Sequence, residues 1–473
     1  MASHALGLTM NVEAADPSLD PRSAQTAVTW PTPRAARYAV FLFSLAIMIN
    51  FLDRGILNLL VQPIKRDMGL SDTQMGMIVG FAFVLFYVAV GFPIARWVDR
   101  GTRKFVIATG VGLFGLMTAL CGLSRSFWQL FSCRIGVGVG EACIGPAFAS
   151  MLSDFYPKEK LARAIAFCNF GYVAGVGLSL VVGGAIIGAL QHYTVIDVPL
   201  LGQMRPWQVV FLICGIPGLL VSALLLTLKE PPRHGNMMLE GGARGLTVAE
   251  SMHFMLERWQ LYGSIFFGIG LRSIMLYASM TWMPAFFERV HGWPAARYGL
   301  IAGVVTLVAT PLGLLLGPWV AERWFRRGQH DANIRVTVWV CAISAPFQVA
   351  ATLMPTPELS MMCQGISTFV NAAAVGPENA ALQVVTPNQM RGQVVAVNMF
   401  MFNVIGAGMG PILAGVLTDH VFGSELLVGW SLASVALVAG PLSGLVFWYG
   451  MRPYRRACEK LESTGVAPGR GSP

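Results

Sequence analysis

The sequence predicts an all-α membrane protein of twelve transmembrane helices arranged as two bundles of six. Three observations indicate this fold class: 55% of the 473 residues are hydrophobic, only 12% are charged, and the mean hydropathy is +0.61. A soluble domain usually carries about 25% charged residues. Because a soluble fold cannot cover so much apolar side chain, the chain is predicted to lie in a bilayer.

Twelve apolar segments are long enough to span a bilayer, which takes about 20 mostly apolar residues. The longest interruption runs from Lys229 to Arg258 and divides the helices into six plus six. The predicted spans begin near Tyr38, Met75, Phe105, Phe127, Leu161, Trp207, Leu261, Tyr298, Val336, Leu359, Val394 and Val428. The predicted division is a disordered cytoplasmic tail (1–37), an N-terminal bundle (38–228), a cytoplasmic linker (229–260), a C-terminal bundle (261–451) and a cytoplasmic tail (452–473), which looks disordered from about Arg455.

The distribution of basic residues predicts the orientation in the membrane. If the N-terminus is inside, 24 of the 33 Lys and Arg residues fall in inner loops and tails, 6 in outer loops and 3 within helices. Basic residues are enriched in cytoplasmic loops of membrane proteins. The pattern therefore predicts an inner-membrane protein with both termini in the cytoplasm.

The two halves of the sequence resemble each other. Small residues recur every fourth position in the fifth and eleventh predicted helices, which places them on one face and lets helix backbones approach closely. They are Gly171, Gly175, Ser179 and Gly183 in the fifth helix, and Gly406, Gly410 and Ala414 in the eleventh. Taken alone, the small residues also fit ordinary helix packing. Residues 97–104 (WVDRGTRK) after the second helix and 319–327 (WVAERWFRR) after the eighth match as well, and together these features indicate a duplicated unit, as in many transporters.

Charged residues inside predicted spans are the candidate functional residues, because an ionisable group in the hydrocarbon core costs several kcal/mol. Asp53 and Arg54 lie in the first helix, and Arg134 and Glu141 share one face of the fourth. Neighbouring residues point about 100° apart on a helix, so Asp53 is expected to pair with Arg134. Two interpretations remain open. In the first, the four charges are a static network that fixes helix packing. In the second, Asp53 and Glu141 bind protons. Burial favours the neutral form of a carboxyl group, whereas a nearby arginine favours its charged form, so a change in the distance to the arginine would bind or release a proton.

Arg272, near the middle of the seventh helix, has two alternative interpretations. It binds an anionic substrate group, or it packs against Glu378 or a backbone carbonyl. Four charged residues at the inner end of the second helix are predicted to form a cytoplasmic gate that latches helices together; the alternative is simple positive-inside charge. These residues are Asp99, Arg100, Arg103 and Lys104.

Enzymatic functions fit this sequence poorly. The seven His fall in loops, tails or helix ends with no metal-ligand spacing, and no phosphate-binding loop of the GxxxxGK[ST] type is present. The eight Cys are scattered without a CxxC pair and read as reduced, small hydrophobic residues. We expect no metal, no cofactor, no nucleic-acid partner and a monomer in the bilayer.

Two stretches resemble motifs of the major facilitator superfamily. Residues 99–104 (DRGTRK) resemble its signature loop, with Thr102 in place of the usual second Gly. Residues 134–140 (RIGVGVG) resemble its fourth-helix motif, which is often linked to proton coupling.

The sequence is also similar to the spinster family over roughly residues 38–450. The stretches that carry this similarity include 50–54 (NFLDR), 134–142 (RIGVGVGEA), 153–157 (SDFYP), 215–218 (GIPG), 229–232 (KEPP), 282–284 (WMP) and 289–292 (RVHG). The resemblance implies a bacterial member, alternating access, proton coupling and lipid-like cargo of the sphingolipid or lysolipid type. It also implies that Asp53, Arg54, Arg134 and Glu141 are the family's intramembrane charges.

The sequence hypothesis is therefore a proton-coupled transporter whose apolar cavity holds an amphiphilic anion, with Arg54, Arg134 or Arg272 meeting the headgroup. The main alternative is a proton symporter of small organic acids. Related transporters of that class also carry Asp-Arg in the first helix and Glu-Ala in the fourth. A membrane receptor or scaffold without transport is a further alternative, but neither tail resembles the folded soluble extension it would need.

Overall fold

A computed structural model describes residues 30–232 and 248–463, and the architecture is almost entirely helical. The first half holds α1 (Pro33–Met68), α2 (Asp72–Gly76), a π-helical turn (Met77–Phe81), α3 (Ala82–Arg100), α4 (Arg103–Cys121), α5 (Phe127–Ala142), α6 (Ile144–Phe155), α7 (Lys158–Leu190), the hairpin β1–β2 (Ile196–Val198, Gly202–Met204) and α8 (Pro206–Leu226). The second half holds α9 (Val248–Glu257), α10 (Trp259–His291), α11 (Ala295–Arg326), α12 (Ala332–Leu353), α13 (Pro357–Val385), α14 (Arg391–Met401), a π-helical segment (Phe402–Met409), α15 (Gly410–Val416), a second π-helical segment (Leu417–Phe422) and α16 (Val428–Ser463).

Ten helical segments in the described part of the chain are long and apolar enough to cross a membrane. The other two predicted spans, near Phe127 and Leu359, are helical as well. The first of these breaks at Cys143 into α5 and α6 because Pro146 lacks the N–H that would continue the helix. The second, α13, is less hydrophobic and buries the charged residue Glu378. The predicted fold class is confirmed, with interior polar residues accounting for the weaker hydropathy of α13.

The tail and linker boundaries differ from the predicted ones where the chain is described. Helix α1 begins at Pro33, α9 lies within the predicted linker, and α16 continues to Ser463. The extension of α16 is packed, because Tyr454 is buried and Arg455 lies 2.6 Å from Asp331. Burial alone would raise the pKa of Asp331, but hydrogen bonds from Arg455 and Arg335 outweigh it and hold this pKa below its usual range. The rest of the predicted tails and linker (1–29, 233–247 and 464–473) lies outside the described residues.

We call the face at which α1 begins and α16 ends the terminal side, and the other face the opposite side. Between the halves, α7 packs against α11, α1 against α10, and α15 against α2. Within the halves, α7 packs on α1, and the π-helical segment and α15 pack on α10. The two halves therefore use the same pairing of their first and fifth spans.

The small residues predicted to mark this repeat lie in those two contacts. A Cβ placed on Gly175 would lie 2.8 Å from the carbonyl oxygen of Met48 in α1. A Cβ on Gly410 would lie 2.7 Å from the carbonyl oxygen of Ile274 in α10. Only glycine allows the backbones to approach so closely, which explains the shared four-residue spacing of the two halves.

Replacing Gly175 by leucine is expected to destabilise the protein by about 1–3 kcal/mol, because the side chain would force α7 away from α1. Thermal unfolding of the purified protein in detergent measures the effect. Gly91→Leu in α3 is the matched control, since a Cβ there would meet no described atom within 4 Å. Equal midpoints for the two variants would contradict the packing role of Gly175.

Candidate functional site

A buried ion pair joins α1 and α5 in the first half. Arg134 Nη1 donates to Asp53 Oδ2 at 2.8 Å, and the hydroxyl of Thr118 in α4 donates to Asp53 Oδ1 at 3.1 Å. Both charged side chains are only 2% exposed. The predicted pairing of Asp53 with Arg134 is confirmed. Both carboxylate oxygens have partners, so this pair ties three helices together.

The second ion pair of the first half joins Arg54 and Glu141. It extends from the same two helices, but its arginine is 17% exposed whereas Glu141 is 2% exposed. Asn50 contributes a further hydrogen bond to Glu141. The four predicted charges therefore form two pairs of unequal accessibility. Among the four, Arg54 is the one that is more than 2% exposed, and its side chain is still mostly buried.

Aromatic rings surround Arg54 from both halves. Its guanidinium carbon lies 4.0 Å from the centre of the Phe83 ring in α3. Phe83 stacks on Tyr87 at 5.5 Å, and Phe51 meets Tyr172 of α7 edge to face at 4.5 Å. Tyr277 of α10 is also close enough to interact electrostatically with Arg54. The partly exposed arginine thus lies between the halves, among aromatic rings, with the Glu141 carboxylate as its charged partner.

The second half has its own intramembrane ion pair. Arg272 of α10 makes two hydrogen bonds to the Glu378 carboxylate of α13, at 2.8 and 2.7 Å, and a longer one to Asn371 Oδ1 at 3.4 Å. Arg272 is 3% exposed. Of the two interpretations of Arg272, the structure shows the packing arrangement with Glu378. Arg272 is buried and bonded to both oxygens of the Glu378 carboxylate, so it does not face an open surface.

The predicted gate residues occupy the terminal side of the first half. Arg103 bonds to Asp154 of α6 and donates to Glu230, beyond α8, at 2.9 Å. The Lys104 ammonium donates to the carbonyl oxygen of Leu228 at 3.2 Å. These contacts latch α4 to α6 and to the segment after α8. Asp99 and Arg100 lie at the end of α3, and their side chains are outside the described part of the structure.

Five charged residues that were not among the predicted candidates join the two halves on the opposite side. Arg289 of α10 donates hydrogen bonds to both carboxylate oxygens of Asp72 in α2, from Nη1 to Oδ2 at 2.6 Å and from Nη2 to Oδ1 at 2.7 Å, and Asp72 is fully buried. Lys65 of the first half lies 2.9 Å from Glu425 of the second. Asp419 accepts hydrogen bonds from the backbone and hydroxyl of Thr73, both at 2.7 Å. We call Lys65, Asp72, Arg289, Asp419 and Glu425 the inter-half lock.

These charges were missed because they lie near helix ends, where single charges are common and carry no intramembrane signal. The motif RVHG at 289–292 was noted only as part of the family resemblance. No cluster of three or more metal-ligating side chains occurs among the described residues. The chemistry available at the site is therefore ion pairing, proton binding and conformational switching.

Comparison with known proteins identifies the family. The sequence model of the Major Facilitator Superfamily matches residues 43–411, which is more than half of the chain. The chain belongs to this superfamily. Its members are membrane transporters, so this protein is a multi-pass membrane transporter and not an enzyme.

Individual members of the superfamily show similarity over most of their length. The chain is 26% identical over 434 residues to an MFS-type efflux pump of Mycolicibacterium smegmatis, covering 90% of this chain and 94% of the relative. It is 23% identical over 430 residues to a probable L-galactonate transporter of Escherichia coli, covering 86% and 90%.

A solved structure is similar to the fold of the chain. It is the crystal structure of a bacterial homologue of the human lysosomal transporter spinster, in an inward-facing and unoccupied conformation. The TM-score is 0.76 at 24% identity, and the match covers 93% of this chain and all of that chain. The resemblance to spinster that the sequence motifs indicated is thus also found among solved structures. At this identity the likeness shows the fold.

Proposed function

We propose that this superfamily transporter is proton-coupled and moves a lipid-like amphiphilic anion, of the sphingolipid or lysolipid type, by alternating access. The observation that carries the proposal is the Arg54–Glu141 pair. It is the one intramembrane pair of the three described above whose arginine is partly exposed, at 17%, and aromatic rings surround it. An anionic headgroup bound at Arg54 would leave its acyl chain against these rings.

The coupling step is a competition for Arg54. When a substrate anion arrives, it replaces Glu141 as the partner of this arginine. Glu141 is left without its charged partner in an apolar site, where the neutral form of a carboxyl group is favoured, and it takes up a proton from the water that reaches Arg54. When the substrate leaves, Arg54 returns to Glu141 and the proton is released. Substrate binding and proton binding therefore depend on one contact.

The other charged groups have structural and gating roles in this proposal. Asp53 with Arg134, and Arg272 with Glu378, hold helices within their halves because both pairs are closed to solvent. The two carboxyl groups are equally buried, but Arg54, the partner of Glu141, is more exposed than Arg134, the partner of Asp53, and a substrate can displace it more readily. We therefore assign the proton to Glu141 in preference to Asp53, the other sequence candidate.

The gate of the terminal side comprises Asp99, Arg100, Arg103 and Lys104, and the inter-half lock closes the opposite side. We assign the terminal side to the cytoplasm, and the protein to the inner membrane as a monomer. A ligand shifts the balance of the two states only by binding them differently.

Small organic acids are the second candidate substrate class. The probable L-galactonate transporter of Escherichia coli supports this alternative, since it is similar over most of both chains. The surroundings of the arginine separate the two candidates in physical terms. A sugar acid carries several hydroxyl groups that need polar partners, whereas Arg54 lies among the rings of Phe83, Phe51 and Tyr172. A partly exposed arginine among aromatic rings favours an amphiphilic anion.

The test is transport by the purified chain in liposomes, with a fluorescent lysophospholipid and a radiolabelled hexuronate as substrates, with and without a pH gradient. Arg54→Gln removes the proposed headgroup contact and is expected to lower lysophospholipid transport by about 100-fold, because a hydrogen bond to a charged group is worth roughly 1.5–3 kcal/mol and its partner is left unpaired. Arg323→Gln, an exposed arginine at the end of α11, is the matched control.

Gradient-dependent movement of the lysophospholipid that fails in Arg54→Gln, and survives in the control, is the expected result. Hexuronate uptake without lysophospholipid movement would transfer the assignment to organic acids. If the transport rate of either substrate is the same with and without a pH gradient, transport is not coupled to protons.

A further inference from the structure

An apolar groove of about 550 Å³ opens on the flank of the second half, on the terminal side, away from the charged pairs. It lies where α9 meets α10, α14 and α16. Its volume is within the roughly 300–1,000 Å³ typical of small-molecule sites. The lining includes Met255, Trp259, Gly263, Phe267, Met401 and Tyr449. The transport mechanism proposed above does not use this groove.

The walls of the groove favour hydrocarbon. Two of the hydroxyl groups that line it are satisfied within the protein: the Tyr262 hydroxyl donates to the carbonyl oxygen of Val385 at 3.1 Å, and the Ser264 hydroxyl to that of Leu261 at 2.8 Å. Phe267 and Trp259 remain more than half exposed. In a membrane protein such a surface is covered by acyl chains, which need no hydrogen-bond partner.

A basic rim borders the groove at its terminal end. Leu445 and Tyr449 line the groove on α16, and the same face of this helix continues in steps of three and four residues to Arg452 and Arg456. Both arginines are exposed, and neither is paired with a carboxylate within residues 30–232 and 248–463. Across the groove, Arg258 lies 3.8 Å from the ring of Phe254, although it also meets Glu257 at 3.6 Å. The apolar surface of the groove is therefore followed along α16 by the positive charges of Arg452 and Arg456.

We propose that the groove binds one acyl chain of an anionic phospholipid from the surrounding bilayer leaflet, with Arg452 and Arg456 meeting its phosphate. Apolar surface and positive charge follow each other along α16 in the same order as the tail and headgroup of a phospholipid. A basic residue near a membrane surface attracts anionic lipid. The bound lipid would hold α9 against α10 and α16. It is a resident lipid and not the transported substrate, so this inference is independent of the cargo.

The experiment is native mass spectrometry of the full chain in detergent, titrated separately with dioleoyl phosphatidylglycerol and dioleoyl phosphatidylcholine. Gly263→Leu fills the groove, and it is tolerated because an added Cβ would approach only a ring carbon of Trp259, at 4.0 Å. The double variant Arg452→Gln/Arg456→Gln removes the charged rim. The controls are Val308→Leu, an exposed change on α11, and Arg327→Gln, an exposed arginine at the end of that helix.

The parent is expected to retain phosphatidylglycerol more tightly than phosphatidylcholine. Each arginine removed should weaken phosphatidylglycerol binding by about fivefold, without changing phosphatidylcholine binding. Gly263→Leu should lose the retained lipid, and both controls should match the parent. Undiminished retention in Gly263→Leu, or an equal affinity for the two lipids, would overturn the inference. Displacement of phosphatidylglycerol by the lysophospholipid substrate would also overturn it, since the groove would then belong to the transport path.

Discussion

Replacing Glu141 by glutamine is expected to abolish accumulation driven by a pH gradient while leaving substrate exchange across the membrane in place. Glutamine keeps the size of the side chain and accepts a hydrogen bond from Arg54, but it cannot bind and release a proton. Arg54 also becomes easier for an anion to capture, because the charged competitor has gone. The measurement is lysophospholipid transport in liposomes, run once with a gradient and once as exchange with equal pH on both sides.

The expected magnitude is a loss of gradient-driven transport to the background level, with exchange within about threefold of the parent. Glutamine has no proton to exchange in this pH range, so the pH gradient has nothing to act on and the two assays should separate clearly. If the Glu141→Gln variant still accumulates substrate when a pH gradient is imposed, Glu141 is excluded as the proton site.

Asp53→Asn is the matched control, because it removes an equally buried carboxylate of the same network whose arginine is closed to solvent. It leaves Arg134 at 2% exposure without a charged partner. Breaking a buried pair in this way costs about 3–5 kcal/mol, so this variant should lose thermal stability and all transport modes together. A stable Asp53→Asn protein that loses only the gradient response would move the proton from Glu141 to Asp53.

The fold was largely predictable from the sequence because a bilayer imposes simple rules on a chain. Each predicted span begins within a few residues of a helix in the structure, from Tyr38 in α1 to Val428 in α16. Length and hydropathy determine these positions. The extension of α16 to Ser463 was not predictable in this way, because it depends on Tyr454 and Arg455 meeting residues more than a hundred positions earlier in the chain.

The intramembrane pairs were predictable only in part. The pairing of Asp53 with Arg134 followed from helix geometry and from the cost of burying charge. The unequal exposure of Arg54 and Arg134 did not follow, because it depends on which residues the second half places opposite each arginine. The partner of Arg272 was left open between substrate and Glu378 for the same reason: α10 and α13 are 106 residues apart at that contact. Such long-range choices require tertiary structure.

Replacing Asp72 by asparagine is expected to open the opposite side of the transporter. Asp72 is 0% exposed and accepts two hydrogen bonds from Arg289 across the boundary between the halves. Charge-assisted hydrogen bonds contribute about 1.5–3 kcal/mol each, and an asparagine can accept only one of the two. The ratio of open to closed molecules should therefore rise by at least about tenfold, since about 1.4 kcal/mol is tenfold.

Spin labels at positions 125 and 356 report this equilibrium, because both are exposed on the opposite side and lie in different halves. Asp72→Asn should add a population at longer distance in double electron–electron resonance spectra. Asp67→Asn is the matched control: Asp67 pairs with Arg205 at 2.9 Å on the same side, but within the first half. A distance distribution that stays unchanged in Asp72→Asn, or that changes equally in Asp67→Asn, would show that the inter-half lock does not hold the two halves together. A change in Asp72→Asn alone would show that the Asp72–Arg289 pair, which joins the two halves, stabilises the closed state of the opposite side.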